Sequence, residues 1–289
     1  MIPVSVAIIT RNRQTELAHC LSSLACQSFP PYEVIVVDNA SDDDTRAIVL
    51  NFKKNVAFPV YYHIEPNIGY PFARNKAIKR AHYDWIAFID DDCVADINWC
   101  KTIQSILVKH RKKKNIAAIL GHSLNYYPNN PFASALQYSH ELWKKQTIHG
   151  SIKNYEVLDT RNILYHRPAL HKYGVTFNNE YTKGSEDSDI GLQIKNAGLL
   201  AIHAPSIYVY HKESQTIAEY VSKKRKYLQS TNYFHKIRNY TPIYLYVSPK
   251  TKLSLWHLCT IKLNWIQTLI ALCIVYSRIY AWWPIQYEK

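Results

Sequence analysis

Apolar and polar positions along the first 92 residues switch between two periods. VSVAIIT (4–10) is a β-branched, near-continuously apolar run of strand length, and after it Leu17, Cys20, Leu21 and Leu24 recur at helical spacing. YEVIVVDN (32–39) repeats the strand signature. Ser41 and the acidic residues behind it then read as a helix start, with Ile48, Val49 and Phe52 on one face. PVYYHIE (59–65) predicts a third strand, PFARNKAIKRA (71–81) a third helix and DWIAFID (84–90) a fourth strand. Strands that alternate with helices and are apolar along nearly their whole length predict a mostly parallel, Rossmann-like α/β sheet with helices on both faces.

Beyond residue 92 the pattern loosens. IAAILGHSLNYY (116–127) and EVLDTRNILYHR (156–167) read as strands, separated by PNNPFASALQYSHELWKKQ (128–146), a turn entering an aromatic helix. KGSEDSDIGLQIKNAG (183–198) has the chemistry of a capped helix closed by Gly198, and LAIHAPSIYVYH (200–211) that of a strand ending at His211. Residues 253–285 change character to an aromatic and apolar run. Lys262 and Arg278 argue against a bilayer span there and for a helix lying at a membrane surface, with a pair of core helices as the alternative. The expected organisation is a domain over 1–230, with halves 1–92 and 93–230, and a helical C-terminal region over 231–289.

Composition narrows the classes. An apolar fraction of 47% and a charged fraction of 20% over 289 residues are those of a folded globular protein, which excludes a disordered chain. The net charge of +13 predicts an anionic partner: nucleic acid, a lipid surface or a phosphorylated substrate. A nucleic-acid module is one alternative, but the 23 tyrosines lie in apolar strands and are not interleaved with the basic runs RKKK (111–114) and KKRK (223–226). The six cysteines have no CxxC pair, and the first residues lack a signal-peptide pattern, so reduced thiols and a cytoplasmic setting are expected. Cys93 reads as a small core residue, because acidic neighbours raise a thiol pKa.

In open α/β sheets, ligands bind beyond the carboxyl ends of the strands. Here those ends carry Thr10, Arg11 and Asn12, then Asp38 and Asn39, then Asp90, Asp91 and Asp92. Asp42 to Asp44 are assigned to capping the helix that follows. Three consecutive aspartates at the end of a buried strand resist desolvation unless they stay solvated or something cationic sits among them.

These segments, taken in order, resemble a family 2 glycosyltransferase of the GT-A fold across about residues 4–230. The likeness is carried by VSVAIITRNR, EVIVVDNASDDDT, NIGYPFARNKAI, FIDDDC, TRNILYHR and GSEDSDIGLQIKNAG. Ala77 stands where the family usually has Gly, Tyr83 replaces another Gly, and the QxxRW motif of processive members is missing, which implies addition of one or a few sugars per acceptor.

The resemblance implies an inverting, metal-dependent transfer from a nucleoside-diphosphate sugar to a glycan or lipid-linked acceptor at the cytosolic face of a membrane. Thr10 to Asn12, Asn67, Gly69 and Arg74 would face the donor, with Asp38 accepting the N3 hydrogen of uracil; thymine satisfies the same pattern. Asp90 would meet the ribose, Asp91 give a supporting contact, and Asp92 with His211 hold Mn2+ or Mg2+, the nitrogen donor favouring manganese. Asn162 would lie on the acceptor side. Asp187, with Glu186, would supply the general base, and Asp189 only a helix start. A catalytically inactive nucleotide-sugar-binding scaffold is the remaining alternative.

Overall fold

The computed structural model describes residues 1–113, 115–149, 151–152, 158–182, 184–223 and Leu269. In chain order the elements are β1 (Val4–Thr10), α1 (Gln14–Ala25), β2 (Glu33–Asp38), α2 (Thr45–Lys54), β3 (Val60–Ile64), α3 (Tyr70–Arg80) and β4 (Trp85–Ile89). There follow β5 (Cys93–Ala95), α4 (Trp99–His110), β6 (Ile116–Asn125), α5 (Pro131–Thr147), β7 (Ile148–His149) and β8 (Ser151–Ile152). Last come β9 (Asn162–His166), α6 (Arg167–Lys172), α7 (Glu186–Asn196) and β10 (Leu200–His211). The chain divides into two compact units. One comprises Met1–Leu124 with Thr147–His211, the other Asn125–Gln146 with Lys212–Lys289.

Among the described residues the strands form one sheet in the order β3-β2-β1-β4-β9-β6-β10-β8-β7, with β5 paired to β10. β1 runs parallel to β2 and β4, and β2 to β3. The direction then changes: β9 is antiparallel to β4 and to β6, and β10 to β5 and β8. The expected mostly parallel sheet is therefore corrected to a mixed one. Continuous apolar runs report burial of both strand faces, as in β2 where every residue is buried, but not strand direction. The direction changes at β9, which enters the sheet beside β4 with residues 90–161 between them, and no period within either strand records that pairing.

The helical stripe of α1 is buried as expected: Leu17, Cys20, Leu21 and Leu24 are at most 1% exposed and belong to the core, each such side chain contributing roughly 1.5–3 kcal/mol. α4 uses the same spacing with Trp99, Cys100, Ile103 and Leu107, in a stretch whose sequence pattern looked irregular. Arg111 to Lys113 follow its end and are exposed, the solvated reading of that basic run.

Two boundaries move. α2 begins at Thr45 rather than behind Ser41, because Asp43 Oδ1 accepts the Thr45 N–H at 3.0 Å while its Oδ2 accepts the Gln14 N–H at 3.1 Å. Of the strand expected over 156–167, β9 covers Asn162–His166, since Asp159 Oδ1 turns the chain before it by accepting the Arg161 N–H at 3.0 Å; residues 156 and 157 lie outside the described residues. Gly198 closes α7 as expected: its φ of 68° lies in the left-handed region, and the Leu199 N–H reaches the Ile194 carbonyl at 3.1 Å.

No helix among the described residues is long and apolar enough to cross a membrane. The expected membrane-surface helix over 253–285 and the basic run beyond Lys223 lie outside the described residues, Leu269 excepted. None of the described cysteines forms a disulfide, and Cys93 is buried, with burial and then Asp92 pushing its thiol pKa up.

Candidate functional site

The ends of β1 and β2 lie side by side, with Thr10 in register with Asp38. Thr10 is buried and Arg11 exposed. Asn12 adopts φ 53°, and its side chain and backbone clasp the next strand's loop: its N–H donates to Ser41 Oγ at 3.0 Å and its Oδ1 accepts the Asp42 N–H at 2.9 Å. Both oxygens of buried Asp38 are engaged, Oδ1 by the Ser41 N–H at 2.8 Å and Oδ2 by the Tyr62 hydroxyl at 2.5 Å.

Asn39, which the sequence placed only at a strand end, builds the neighbouring turn. Its Nδ2 donates to the carbonyls of Glu65 and Asn67 at 3.0 and 2.7 Å, and its Oδ1 accepts the Gly69 N–H at 2.8 Å. Asn67 also donates to Glu65 Oε1 through its own backbone and side chain. Gly69 has φ 146°, and a Cβ there would stand 3.0 Å from the Thr182 Cβ. This glycine brings the start of α3 against the segment that leads into α7.

The triple aspartate meets cationic and protonatable side chains of its own chain. Arg13, absent from the sequence-based site, places Nη1 2.6 Å from Asp91 Oδ1 and Nη2 3.1 Å from Asp92 Oδ2. Asp90 Oδ1 lies 3.9 Å from Arg74 Nη2, and Asp92 Oδ1 lies 3.3 Å from His211 Nε2. Each aspartate thus faces a cationic or protonatable partner. Burial pushes the Asp91 carboxyl up to about 7, with Arg13 opposing that rise and Asp92 adding to it. Arg13 closes the VSVAIITRNR segment, but no spacing marks its partners, and the approach of β1 to β4 brings it to the aspartates.

On the other side of the site, buried Arg74 pairs with buried Glu186 at the first turn of α7. The guanidinium also sits 5.2 Å from the Tyr70 ring centroid and 5.7 Å from that of Phe177. Arg74 Nε and Glu186 Oε2 are buried without a hydrogen-bond partner among the described residues, so polar capacity remains there for a ligand. Asp187 follows with a carboxyl pushed up to about 6 by burial and then by Asp159, against the opposing pull of Arg74. Asp159 is itself held by Arg161, whose Nε donates to Asp159 Oδ2 at 2.6 Å and whose Nη1 lies 3.4 Å from His211 Nδ1. Asp159 does not stand out in the sequence, and Arg161 lies within TRNILYHR without being singled out there.

Asn162 is 2% exposed and its amide is spent within the protein. Its Nδ2 donates to the carbonyls of His122 and Ile207 at 2.8 and 2.9 Å, and its Oδ1 accepts the Trp99 indole N–H at 3.0 Å. It locks β9 to β6, β10 and α4. Gly121 makes room for it, since a Cβ there would meet Asn162 Nδ2 at 2.4 Å. Asp189, as expected, serves its helix, accepting from Gln193 Nε2 at 2.6 Å.

No group of three or more His, Cys, Asp and Glu among the described residues is placed to hold a metal ion. The pair Asp92 Oδ1 and His211 Nε2 nonetheless fits part of such a site: both residues are buried, the two atoms lie 3.3 Å apart, and a carboxylate oxygen with an imidazole nitrogen is a donor set that divalent ions accept.

Residues 5–174 match the family described as Glycosyl transferase family 2, which is more than half of the chain. The chain belongs to this family. A succinoglycan biosynthesis protein, ExoM, of Rhizobium meliloti is 28% identical over 74% of this chain and 69% of its own length. The poly(ribitol-phosphate) β-N-acetylglucosaminyltransferase TarS of Staphylococcus aureus is 27% identical over 73% of this chain but 35% of its own length. A validoxylamine A glucosyltransferase of Streptomyces hygroscopicus is 32% identical over 44% of this chain and 28% of its own length.

The chain therefore spans well under two thirds of several relatives. Among solved structures, S. aureus TarS 1–349 in complex with UDP-GlcNAc aligns with TM-score 0.57 and 22% identity over 74% of this chain and 60% of that one. A mannosyltransferase of Pyrobaculum calidifontis in complex with GDP-Man and Mn2+ aligns with TM-score 0.64 and 17% identity over 96% of this chain and 76% of that one. These likenesses show the fold, that of GT-A transferases. The expected family and the α/β, GT-A part of the fold class are borne out, with strand direction corrected from mostly parallel to mixed; the expected membrane-associating tail lies outside the described residues, Leu269 excepted.

Proposed function

We propose that the protein is an inverting, non-processive glycosyltransferase that moves a sugar from a nucleoside-diphosphate donor, a UDP-sugar, to a glycan or lipid-linked acceptor. The observation that carries this reading is the placement of Asp187, held at the start of α7 with a carboxyl poised near neutral pH. A general base works best when its pKa lies near the working pH, because it is then both ionised and basic enough to accept a proton.

Asp187 takes the proton from the acceptor hydroxyl as that oxygen attacks the anomeric carbon from the face opposite the diphosphate. Glu186 is committed to Arg74, so it positions rather than abstracts. Arg74, beside Asp90, has unspent polar capacity toward the donor. Asp92 and His211 would hold a divalent ion, Mn2+ or Mg2+, which when bound supplies positive charge to the leaving diphosphate. Thr10 to Asn12, Asp38, Asn67, Gly69 and Asp91 shape the donor side, and Asn162 supports the acceptor side from behind. The UDP-GlcNAc complex of TarS supports the choice of donor class, and the Mn2+ complex of the mannosyltransferase supports the ion.

The proposed catalytic domain spans 1–230, split at residue 92. The region 231–289 is assigned to a membrane surface on its sequence alone, which deletion of 253–289 followed by fractionation tests.

The decisive experiment titrates UDP by calorimetry with Mn2+ and with chelator, and screens UDP-sugars for Mn2+-dependent hydrolysis. Affinity that is equal under both conditions overturns the ion's role. No turnover of any nucleotide sugar overturns the activity.

A further inference from the structure

The second compact unit carries a cleft of about 430 Å3 whose lining includes none of the residues assigned above to the donor. That volume lies within the range of small-molecule sites, roughly 300–1,000 Å3. It is formed where β6 ends and the YYPNNP segment turns into α5.

The turn is built rigidly. Asn125 holds both ends of the Tyr127 peptide, its Oδ1 accepting the Tyr127 N–H at 2.8 Å and its Nδ2 donating to the Tyr127 carbonyl at 2.9 Å. Asn130 adds its own N–H to that carbonyl at 3.0 Å and accepts the Ala133 N–H at 2.9 Å, while Ser134 Oγ donates to the Pro128 carbonyl at 2.9 Å. Two prolines fix φ in the same stretch. A surface organised in advance loses little entropy when a ligand arrives.

The lining has a particular chemistry. Tyr126 and Tyr127 meet edge to face, with centroids 5.2 Å apart and planes at 89°, so the two rings make a corner. Tyr126 is 41% exposed, a large aromatic area left on the surface of a pinned turn. Around it stand the exposed amides of Asn129 and Gln215. Gln215 is fixed at its backbone, where its N–H donates to Glu219 Oε2 at 2.9 Å. Primary amides both donate and accept, as hydroxyl groups do. Among the described residues, no carboxylate and no arginine lines the cleft, and the one cation facing its rings is Lys212, whose Nζ lies over the Tyr126 ring, 5.6 Å from the centroid.

A flat apolar ring face bordered by groups that both donate and accept matches a pyranose, whose axial C–H face is apolar and whose rim is hydroxyl. A lipid chain would leave the amides unpaired, and a phosphate would find the single ammonium of Lys212 and no guanidinium to grip it at two points. We propose that this cleft is a saccharide subsite for a neutral pyranoside of the acceptor glycan, an assignment that rests on the glycosyltransferase reading for its biological occupant.

The test is saturation-transfer NMR on the full chain with methyl glycosides of cellobiose, maltose and N,N′-diacetylchitobiose. UMP serves as a base-stacking control, and UDP with Mn2+ is added as competitor. At least one disaccharide should receive saturation that UDP and Mn2+ leave in place. Tyr126→Ala should weaken it by roughly three- to tenfold, the scale of one aromatic contact, and Tyr126→Phe should retain it. Should Tyr126→Ala fail to fold, the exposed substitutions Asn129→Ala and Gln215→Ala provide the same reading.

Absence of transfer to every disaccharide overturns the subsite. So does displacement by UDP, indifference to all three substitutions, or a preference for UMP over the sugars. Binding of UDP in the same samples reports separately on the donor site, so failure of one assignment is distinguishable from failure of the other.

Discussion

Arg74 and Glu186 stand 112 residues apart in sequence and form a buried ion pair between α3 and the first turn of α7. Both side chains are at most 6% exposed, so the pair is screened little by water and each partner depends on the other. Asp187, the neighbour of Glu186, has no such ion-pair commitment to Arg74. Adjacent carboxylates therefore carry different duties.

Removing one member of the pair strands a buried charge. Arg74→Ala or Glu186→Ala is expected to destabilise the protein by about 3–5 kcal/mol, whereas Glu186→Gln, which keeps the hydrogen bond, costs less. Urea unfolding of the three variants checks this order.

Asp187→Asn removes a proton acceptor while keeping shape. Transfer should fall by roughly 10²- to 10⁴-fold with UDP affinity retained, as is typical of general-base loss. Normal transfer by Asp187→Asn beside an inactive Glu186→Gln would reverse the roles of the two carboxylates.

The pH dependence has a definite sign. The Asp187 carboxyl is raised to about 6, so its basic form is lost as pH falls through that value. kcat/KM should rise with pH around 6 and level off above it. Burial is the largest cause of the shift, Asp159 and Asp90 also raise it and Arg74 lowers it, so Asp159→Asn should move the ascending limb to lower pH. An unmoved limb would place the titrating group elsewhere.

Asn162→Ala would leave the Trp99 indole and two backbone carbonyls without their partner, at about 1–3 kcal/mol for each buried group left unsatisfied. Thermal unfolding should register the loss. Because the amide is spent inside the protein, the acceptor KM of the folded fraction should stay close to that of the parent; a large rise in KM would return Asn162 to direct contact.

Gly69→Ala combines a backbone at φ 146° with a Cβ 3.0 Å from Thr182. A cost of about 1–3 kcal/mol is expected from the strained backbone alone, together with weaker UDP binding, since the turn at Asn67 is held by the same network. Denaturation and calorimetry on one preparation read both effects.

The amino-acid sequence by itself determined what is local. The runs at Val4 and Glu33 and the stripe at Leu17, Cys20, Leu21 and Leu24 became strands and a helix because side-chain period follows backbone geometry within a few residues. The ordered motifs from VSVAIITRNR to GSEDSDIGLQIKNAG pointed to the family that residues 5–174 match. Tertiary structure alone decided that β9 runs antiparallel to β4 and that Arg13 closes on Asp91 and Asp92. It also decided that Asn162 bonds inward and that Glu186 answers Arg74 while Asp187 does not. Such pairings depend on which distant segments the sheet brings together, and no period or spacing within either segment records its partner.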